Sequence, residues 1–343
     1  MGQDGPVPHH PAPEETLPVI ALNGPTASGK STLAVDVALH LAAHGQPAEI
    51  VNADSMLVYR GMDIGTAKPT QAERRGVRHH LVDVLDVTEV ATVADFQDRA
   101  RTAIADCRRR GVVPVLVGGS ALYQRAILDV FEFPGTDAAV RARWEERLAA
   151  EGPEALHAEL ARRSPAAGAE ILPGNGRRLV RALEVIDLTG SHAPTLPAWT
   201  YAIPGVRAWG LELPRDVMDA RIAERVDAMW EAGFVDEVRR LEAAGLRRGR
   251  TAAVAIGYAQ VLRFLAGEIT QDEARADTVR RTKRFARRQL GWFRRDDRIA
   301  WLAAGDPGAA TTIAHDALGP DALTTDAPQQ RCGGGEQAHG QRR

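Results

Sequence analysis

The chain has 343 residues, of which 44% are hydrophobic and 26% charged, a composition that excludes a largely disordered protein. The net charge of −2 excludes a uniformly basic protein that coats nucleic acid without specificity. No apolar run is long enough to cross a bilayer, and the N-terminus lacks the pattern of a secretory signal. The sequence holds only two cysteines, which is typical of a protein from a reducing compartment. We therefore predict a cytoplasmic protein without membrane contact. We also expect a monomer.

The first part of the sequence alternates short apolar runs with amphipathic segments. Residues 1–17 are rich in proline and polar groups, so we predict a disordered tail there. Apolar runs at 18–22, 48–53 and 112–119 predict strands, and the segments between them include runs with the apolar spacing of helices. Such alternation indicates a parallel sheet that helices cover on both faces. We therefore predict an α/β fold whose core begins with residues 18–133.

The pattern changes in the second part of the sequence. Residues 134–204 contain helical segments separated by proline and glycine, with no strand-like run, and predict a helical insertion domain. A strand-like run at 208–213 returns the chain to the sheet, so residues 205–303 are predicted to complete the core. Residues 304–343 are dominated by alanine, glycine, threonine and glutamine, and we predict a second disordered tail.

A glycine-rich loop follows the first predicted strand and precedes a predicted helix. It fits the pattern G-x-x-x-x-G-K-[ST], whose backbone N–H groups wrap around phosphate oxygens. In this pattern Lys30 adds a positive charge, and the Ser31 hydroxyl is a ligand for Mg²⁺. The sheet is therefore predicted to be a core like that of the P-loop NTPases. The predicted phosphate-binding residues are Gly24, Pro25, Thr26, Ala27, Ser28, Gly29, Lys30 and Ser31.

The position of the nearest carboxylate indicates which chemistry the loop serves. A P-loop ATPase or GTPase needs an acidic residue after a later strand to hold Mg²⁺. Here the third predicted strand ends on glycines and Ser120, whereas Asp54 follows the second. Because parallel strands deliver their carboxyl ends to one crevice, Asp54, Ser120 and the loop are expected to converge. This arrangement favours a transferase of small groups over a motor ATPase.

A basic segment near the C-terminus predicts a contact with nucleic acid. Residues 280–295 contain eight basic residues and no acid. Arg281, Arg284 and Arg288 share one face of a helix, and aromatic residues interleave with them. Clustered arginines with aromatics are typical of surfaces that bind RNA phosphates and bases. The aromatics alone are more typical of side chains that face a core.

Several sequence blocks resemble the tRNA dimethylallyltransferase family, the tRNA prenyltransferases of the isopentenyl-diphosphate type. The resemblance covers roughly residues 18–300, and the block that contains GMDIGTAKP is its most specific part. The blocks are GPTASGKS (24–31), NADSMLVYRGMDIGTAKP (52–69), VGGSALY (117–123), RRLVRALEV (177–185), GFVDEVRRL (233–241), AIGYAQ (255–260) and TKRFARRQLGWFRRD (282–296).

The resemblance implies a P-loop core with a helical insertion and a defined reaction. Family members move dimethylallyl from dimethylallyl diphosphate to the exocyclic amine of the adenine on the 3′ side of the anticodon, assisted by Mg²⁺. The loop would then hold a diphosphate leaving group. The family pattern implies that Asp54 is the general base, that Arg225 contacts the diphosphate (with Arg221 as second choice), and that Ser31 and Asp54 hold Mg²⁺.

The resemblance also implies contacts with the anticodon stem-loop of tRNA. Ser120 stands where family members commonly have threonine, which preserves the hydroxyl and a catalytic role. Ala259 replaces a residue that is often basic, which implies one tRNA contact fewer. The implied tRNA-binding residues are Asp54, Ser55, Met56, Leu57, Ser120, Arg141, Arg177, Arg178, Arg181, Gly257, Tyr258, Lys283, Arg284, Arg287, Arg288 and Gln289.

Three other functions fit parts of the sequence. A P-loop kinase explains the loop but leaves the basic segment without a role. A prenyltransferase of free nucleotides, as in cytokinin synthesis, needs neither the insertion nor that segment. An RNA-binding switch would not need an acid beside the phosphate loop.

The adjacent His79 and His80 point apart on an extended chain, so we predict loop or core residues there, and we expect no partner for Cys107.

Overall fold

The structure is a computed structural model that describes residues 16–192 and 198–319. The described residues form two compact units, and the chain passes between them after Ile127 and after Ala202. The second unit thus begins at Leu128, slightly before the insertion predicted at 134–204. In the described parts of the chain, none of the helices combines the length and apolar character that a membrane span requires.

The first unit is built on a six-stranded, fully parallel sheet, as the α/β pattern predicts. Its order is β3-β2-β4-β1-β5-β6, so β2, β3 and β4 lie on one side of the central strand β1, and the order reverses where β5 and β6 lie on the other side. Ligands of parallel sheets bind beyond the carboxyl ends of strands at such a reversal. The strands are β1 (Val19–Asn23), β2 (Ala48–Asn52), β3 (His79–His80), β4 (Val113–Gly118), β5 (Val206–Glu212) and β6 (Ile299–Ala303).

Helices cover the sheet of the first unit. Some of them begin at residues whose side chains cap them: Thr92 accepts a hydrogen bond from the Asp95 N–H, and Thr270 forms a capping box with Glu273. The helices of this unit are α1 (Lys30–Ala43), α2 (Gln71–Arg74), α3 (Val93–Arg109), α4 (Ala121–Leu128, which ends at the boundary), α9 (Arg215–Glu231), α10 (Phe234–Ala243), α11 (Tyr258–Leu265), α12 (Gln271–Phe293) and α13 (Ala309–Leu318). Two short 3₁₀ helices span Leu246–Arg248 and Ala252–Val254.

The second unit contains four complete helices and, among its described residues, no β structure beyond an isolated bridge between Asp129 and Tyr201. Trp144, Leu156, Leu160 and Leu179 are buried in its own apolar core, so the unit has a hydrophobic interior separate from that of the sheet. Its helices are α5 (Ala138–Glu151), α6 (Pro153–Arg163), α7 (Pro165–Glu170) and α8 (Gly176–Thr189). This architecture agrees with the helical insertion predicted from the sequence.

The prediction of a disordered tail from residue 304 is wrong for part of that segment. Helix α13 lies there, and Ile313 and Ala314 are fully buried against α1 and the sheet. Alanines that share a helix face with one isoleucine make a small apolar stripe, which composition alone hides. The rest of the predicted tails, residues 1–15 and 320–343, lies outside the described residues.

Candidate active site

The phosphate loop connects the central strand β1 to helix α1. Ala27 and Gly29 have positive φ angles of 64° and 87°, which turn the backbone around the start of the helix. A Cβ at Gly24 would lie 2.9 Å from the Ser28 Oγ, so the tight turn needs glycine there. The Lys30 ammonium donates a hydrogen bond to the Pro25 carbonyl at 3.2 Å, which folds this side chain back over the loop. The predicted loop is therefore formed as the pattern requires.

Helix α12 contacts the phosphate loop directly. The Gln289 side chain is buried, and its Oε1 accepts a hydrogen bond from the Thr26 N–H at 2.9 Å. The resemblance assigned Gln289 to tRNA binding, whereas its polar contact here is with the loop. The nearby Ser28 hydroxyl is buried and has no hydrogen-bond partner among the described residues. An unpaired buried hydroxyl in this position is available to a ligand oxygen.

Asp54 follows strand β2 and is held by a tight local turn. Its backbone N–H donates to the Asn52 Oδ1 at 2.8 Å, and its Oδ1 accepts from the Met56 N–H at 2.8 Å. The buried Asn52 also donates to the carbonyls of Asp54 and Leu81, at 2.9 Å and 3.0 Å. The turn thus fixes the direction of the Asp54 carboxylate.

A small charged pocket joins Asp54 to the phosphate loop. Its volume is about 70 Å³, and Lys30, Ser31, Asp54, Thr66 and Arg225 are among the lining residues. Loss of hydration lowers the pKa of Lys30 to about 8, because it outweighs the opposing attraction of Asp54, and Arg225 lowers the pKa further. Desolvation also lowers the pKa of Arg225, although its side chain reaches solvent through the open pocket. Two cations therefore face the site where the sequence predicts a diphosphate.

A larger apolar cavity shares a wall with the charged pocket. Its volume is about 360 Å³. Its apolar lining includes Ile222, Val226, Met229, Phe234, Val254 and Phe285. The two spaces have in common the residues Thr26, Asp54, Thr66, Ala67 and Arg225. A ligand with a charged end and an apolar end can therefore occupy both spaces at once.

Four residues that the resemblance assigned to tRNA binding lie in the walls of these two spaces. Ser55, Met56 and Ser120 line the apolar cavity, and Leu57 lines the charged pocket. The Ser55 side chain hydrogen-bonds Tyr123, whose pKa burial raises. Strands β2 and β4 therefore deliver their carboxyl ends to one crevice, as predicted.

Gly257 and Tyr258 also line the apolar cavity, but the Tyr258 hydroxyl is hydrogen-bonded within the protein. Its side chain is fully buried, and its hydroxyl donates to the Glu237 Oε1 at 2.6 Å. Burial and the Glu237 carboxylate both raise the pKa of Tyr258. The tRNA contact that the resemblance assigned to Tyr258 is therefore not available to its hydroxyl, because that group is already engaged.

The basic segment forms the C-terminal half of α12. Arg284 and Arg288 are exposed and line a second polar cavity, together with Arg280, Arg281 and Asp277. Asp277 lies one turn before the basic run and binds Arg281 at 2.7 Å, so this acid neutralises part of the positive charge. Lys283 is half-buried, and Arg287 pairs with Asp219 of α9 at 2.7 Å.

The arginines predicted in the insertion belong to the second unit. Arg141 and Arg181 both bind the fully buried Glu184 carboxylate at 2.9 Å. Arg181 also donates to the carbonyls of Pro134 and Gly135. These two arginines thus hold the second unit together, a role that the resemblance did not suggest. Arg177 and Arg178 are exposed at the start of α8.

The donor set of the charged pocket fits Mg²⁺. Ser31 contributes a hydroxyl and Asp54 a carboxylate, and both line the same small space. Mg²⁺ usually binds one or two protein oxygens, together with waters and substrate phosphates. The pairing of Ser31 with Asp54 around this ion remains a prediction.

A polar cluster lies apart from the candidate site, where β2 and β3 approach α3. The His80 Nε2 lies 2.6 Å from the Glu49 Oε2, and the Cys107 Sγ lies 3.6 Å from that oxygen. The expectation that Cys107 has no partner is therefore wrong. Arg110 donates to both Glu49 oxygens, at 2.9 Å and 2.6 Å, and it holds the pKa of Glu49 at about 2. Because a guanidinium already occupies both oxygens, we assign this cluster to the packing of β2, β3 and α3.

The fold and the joined spaces define a P-loop protein built for group transfer. A family model described as "IPP transferase" matches residues 57–296. A tRNA dimethylallyltransferase from Thermobifida fusca is 62% identical over 290 residues, which are 84% of this chain and 91% of that protein. One from Cutibacterium acnes is 59% identical over 310 residues, which are 90% and 97%. The chain belongs to the IPP transferase family, and the resemblance seen in the sequence is confirmed.

A solved structure supports the same assignment. The full-length tRNA isopentenylpyrophosphate transferase from Bacillus halodurans superimposes with a TM-score of 0.64 at 38% identity, and the match covers 89% of this chain and 96% of that one. The P-loop fold predicted from the sequence is thus shared with a family member of known structure.

Sequence reasoning missed three contributors to the site. Thr66 and Ala67 line both spaces, whereas in the sequence their block indicates only the family. Glu237 holds the loop on which they lie. A signal for Glu237 exists, because it shares the buried face of α10 with Phe234, Val238 and Leu241. An acid within an apolar helix stripe must have buried partners.

Proposed function

We propose that this protein is a tRNA dimethylallyltransferase, which transfers a dimethylallyl group from dimethylallyl diphosphate to an adenine of tRNA. The observation that carries the proposal is the wall shared by the cationic pocket and the apolar cavity. A diphosphate needs the first space and a short branched hydrocarbon chain needs the second. The names of the close relatives from Thermobifida fusca and Cutibacterium acnes support the same activity.

The cationic pocket assists departure of the diphosphate. In the reaction the bond between the allylic carbon and the diphosphate oxygen breaks, and the oxygen keeps the electron pair. Lys30 and Arg225 compensate the negative charge that develops, together with the loop N–H groups at the start of α1. Ser31 and Asp54 would hold Mg²⁺, which supplies further positive charge to the diphosphate oxygens.

Asp54 accepts the proton that the acceptor loses. The exocyclic nitrogen of adenine is a weak nucleophile, because its lone pair is delocalised into the ring. As the nitrogen bonds to the allylic carbon, one N–H proton passes to the Asp54 carboxylate. The hydrogen bond from the Met56 N–H to one carboxylate oxygen keeps the group oriented toward the shared wall. Residues of the first unit thus stabilise the leaving diphosphate and accept the proton that the adenine nitrogen loses.

The acceptor is the adenine on the 3′ side of the anticodon, presented by the anticodon stem-loop. A base stacked in that loop must turn out to reach the partly buried Asp54 carboxylate, which costs a few kcal/mol. Phosphate contacts from the exposed arginines of α12 offset part of this cost. The base then meets Ser55, Met56 and Ser120 in the cavity wall.

The direct test is a transfer assay with defined acceptors. The protein is incubated with dimethylallyl diphosphate, MgCl₂ and unmodified tRNA, and the digested nucleosides are identified by mass. Parallel reactions replace the tRNA with AMP or ATP. We expect prenylated adenosine from tRNA alone. Asp54→Asn should reduce the rate by about 10²- to 10⁴-fold, while Asp36→Asn, on an exposed face of α1, should leave it unchanged.

Each alternative predicts a different result. Product from AMP instead of tRNA would assign the protein to free-nucleotide prenylation and would leave the basic surface of α12 unexplained. Consumption of ATP without prenyl transfer would indicate a kinase. Binding of tRNA without any product would indicate an RNA-binding protein.

A further inference from the structure

The most distinctive block of the sequence, GMDIGTAKP, folds into a loop that forms part of both spaces. Gly65 lines the apolar cavity, and Thr66 and Ala67 line the cavity and the charged pocket. Ala67 has a positive φ angle of 51°, an unfavourable conformation for a residue with a side chain. A loop in this conformation needs contacts from outside itself to keep its shape.

Glu237 provides those contacts from helix α10. Its carboxylate accepts hydrogen bonds from three successive backbone N–H groups of the loop. The Oε2 lies 3.1 Å from the Asp63 nitrogen and 2.7 Å from that of Ile64, and the Oε1 lies 3.2 Å from that of Gly65. Consecutive N–H groups that converge on an anion form a strong, directional binding site. The Glu237 side chain is buried, so water does not compete for these bonds.

Two aromatic rings complete the contact between the loop and its support. Tyr258 donates its hydroxyl to Glu237, and its ring packs edge-on against Phe234 with 5.0 Å between ring centres. A Cβ at Gly65 would lie 2.1 Å from the Phe234 ring and 2.7 Å from the Tyr258 ring. The loop backbone therefore rests directly on the two rings, and only glycine fits there.

Lys68 fixes the other end of the loop. Its ammonium is almost fully buried, donates to the Tyr59 carbonyl at 2.8 Å, and pairs with Asp63 at 2.7 Å and with Asp83. The loop is thus held by a buried carboxylate on one side and a buried ammonium on the other. Both charged groups therefore contact the backbone and side chains of this one short segment and its immediate neighbours.

We propose that Glu237 is a positioning residue for the prenyl donor: it sets the loop Asp63–Ala67 as the common wall of the diphosphate pocket and the apolar cavity. The inference rests on the proposed function, because it names the donor site as the part that the loop shapes. Glu237 acts through the loop and does not itself touch the reacting atoms. Its loss should therefore weaken donor binding far more than tRNA binding.

The test compares Glu237→Gln with the wild-type full-length protein. An amide has one acceptor oxygen, and its NH₂ group opposes the loop N–H groups. We expect hydrogen exchange in the peptide that covers residues 61–68 to accelerate at least about tenfold. The Kd of inorganic diphosphate and the KM of dimethylallyl diphosphate should rise by about tenfold, whereas the Kd of tRNA should stay within about twofold.

Two further variants serve as a control and as an alternative for this test. Glu242→Gln makes the same change at a partly exposed position of the same helix, where Arg247 is the partner, and should alter none of these quantities. If Glu237→Gln does not fold, Glu237→Asp keeps the charge but withdraws the carboxylate, and the same shifts are expected. Unchanged exchange in residues 61–68, or an equal loss of donor and tRNA binding, would overturn the proposal.

The two proposals can fail separately. A wild-type protein that transfers nothing to tRNA would refute the proposed function. The exchange and diphosphate measurements need no turnover, so they decide the role of Glu237 in either case.

Discussion

At the scale of single residues, Lys30 gives the candidate site a pH dependence. An ordinary lysine titrates near 10.5 and stays charged through neutral and mildly alkaline pH, but here the pKa is about 8. Lys30 is charged below that pKa and neutral above it. The affinity of the protein for a diphosphate should therefore fall as pH rises. We expect the KM of dimethylallyl diphosphate to increase about tenfold per pH unit above pH 8, measured in steady-state transfer assays.

A matched variant separates Lys30 from other titrating groups. Arginine stays charged throughout this range, so Lys30→Arg should remove the alkaline rise in KM. The fully ionised diphosphate itself does not titrate there. A rise that persists in Lys30→Arg would assign the pH dependence to another residue.

Single residues also show what the sequence could and could not predict. The phosphate loop and Asp54 were predictable, because glycine spacing and strand ends are local features. Gln289 and Glu237 act on backbone groups 263 and 172 residues away, and no local pattern records such contacts. The resemblance implied a tRNA contact for Gln289, but it did not indicate the contact of this side chain with the phosphate loop.

At the scale of elements, the sequence predicted long amphipathic helices and central strands better than short or edge elements. Strand β3 has two residues and lies at the edge of the sheet, and β6 forms the opposite edge. Helix α13 was missed because its buried face consists mainly of alanine. Packing against α1 and the sheet stabilises this helix, and such tertiary contacts override weak local signals.

Helix α13 is therefore expected to contribute to stability although it supplies no site residue. Ile313 is fully buried, so Ile313→Ala should lower the free energy of unfolding by about 2–5 kcal/mol, measured by urea denaturation. A chain that ends at residue 304 should be less stable still. Thr312→Ala, on the exposed face of the same helix, is the control. Equal stability of the two variants would show that α13 does not pack as described.

At the scale of the whole molecule, basic residues of both units were predicted to contact one tRNA, but their surroundings differ. Arg284 and Arg288 are exposed on α12 in the first unit. Arg141 and Arg181 in the second unit share the buried Glu184 carboxylate. A charge that neutralises a buried acid cannot move to a phosphate without depriving that acid of one of its partners, which is costly. The predicted tRNA-binding arginines therefore divide into two groups with different energetic roles.

The salt dependence of tRNA binding distinguishes these two groups. Each phosphate contact releases counterions, so Arg284→Ala or Arg288→Ala should reduce the slope of log K against log salt concentration by about 0.7 to 0.9. Arg141→Ala and Arg181→Ala should leave the slope unchanged and lower the stability of the second unit instead, because Glu184 loses a partner. Filter binding between about 50 and 200 mM KCl measures the slopes, and thermal unfolding measures the stability. If Arg141→Ala reduced the slope as much as Arg284→Ala, the ion pair with Glu184 would have to open on binding, and the tRNA contact implied by the resemblance would hold for Arg141.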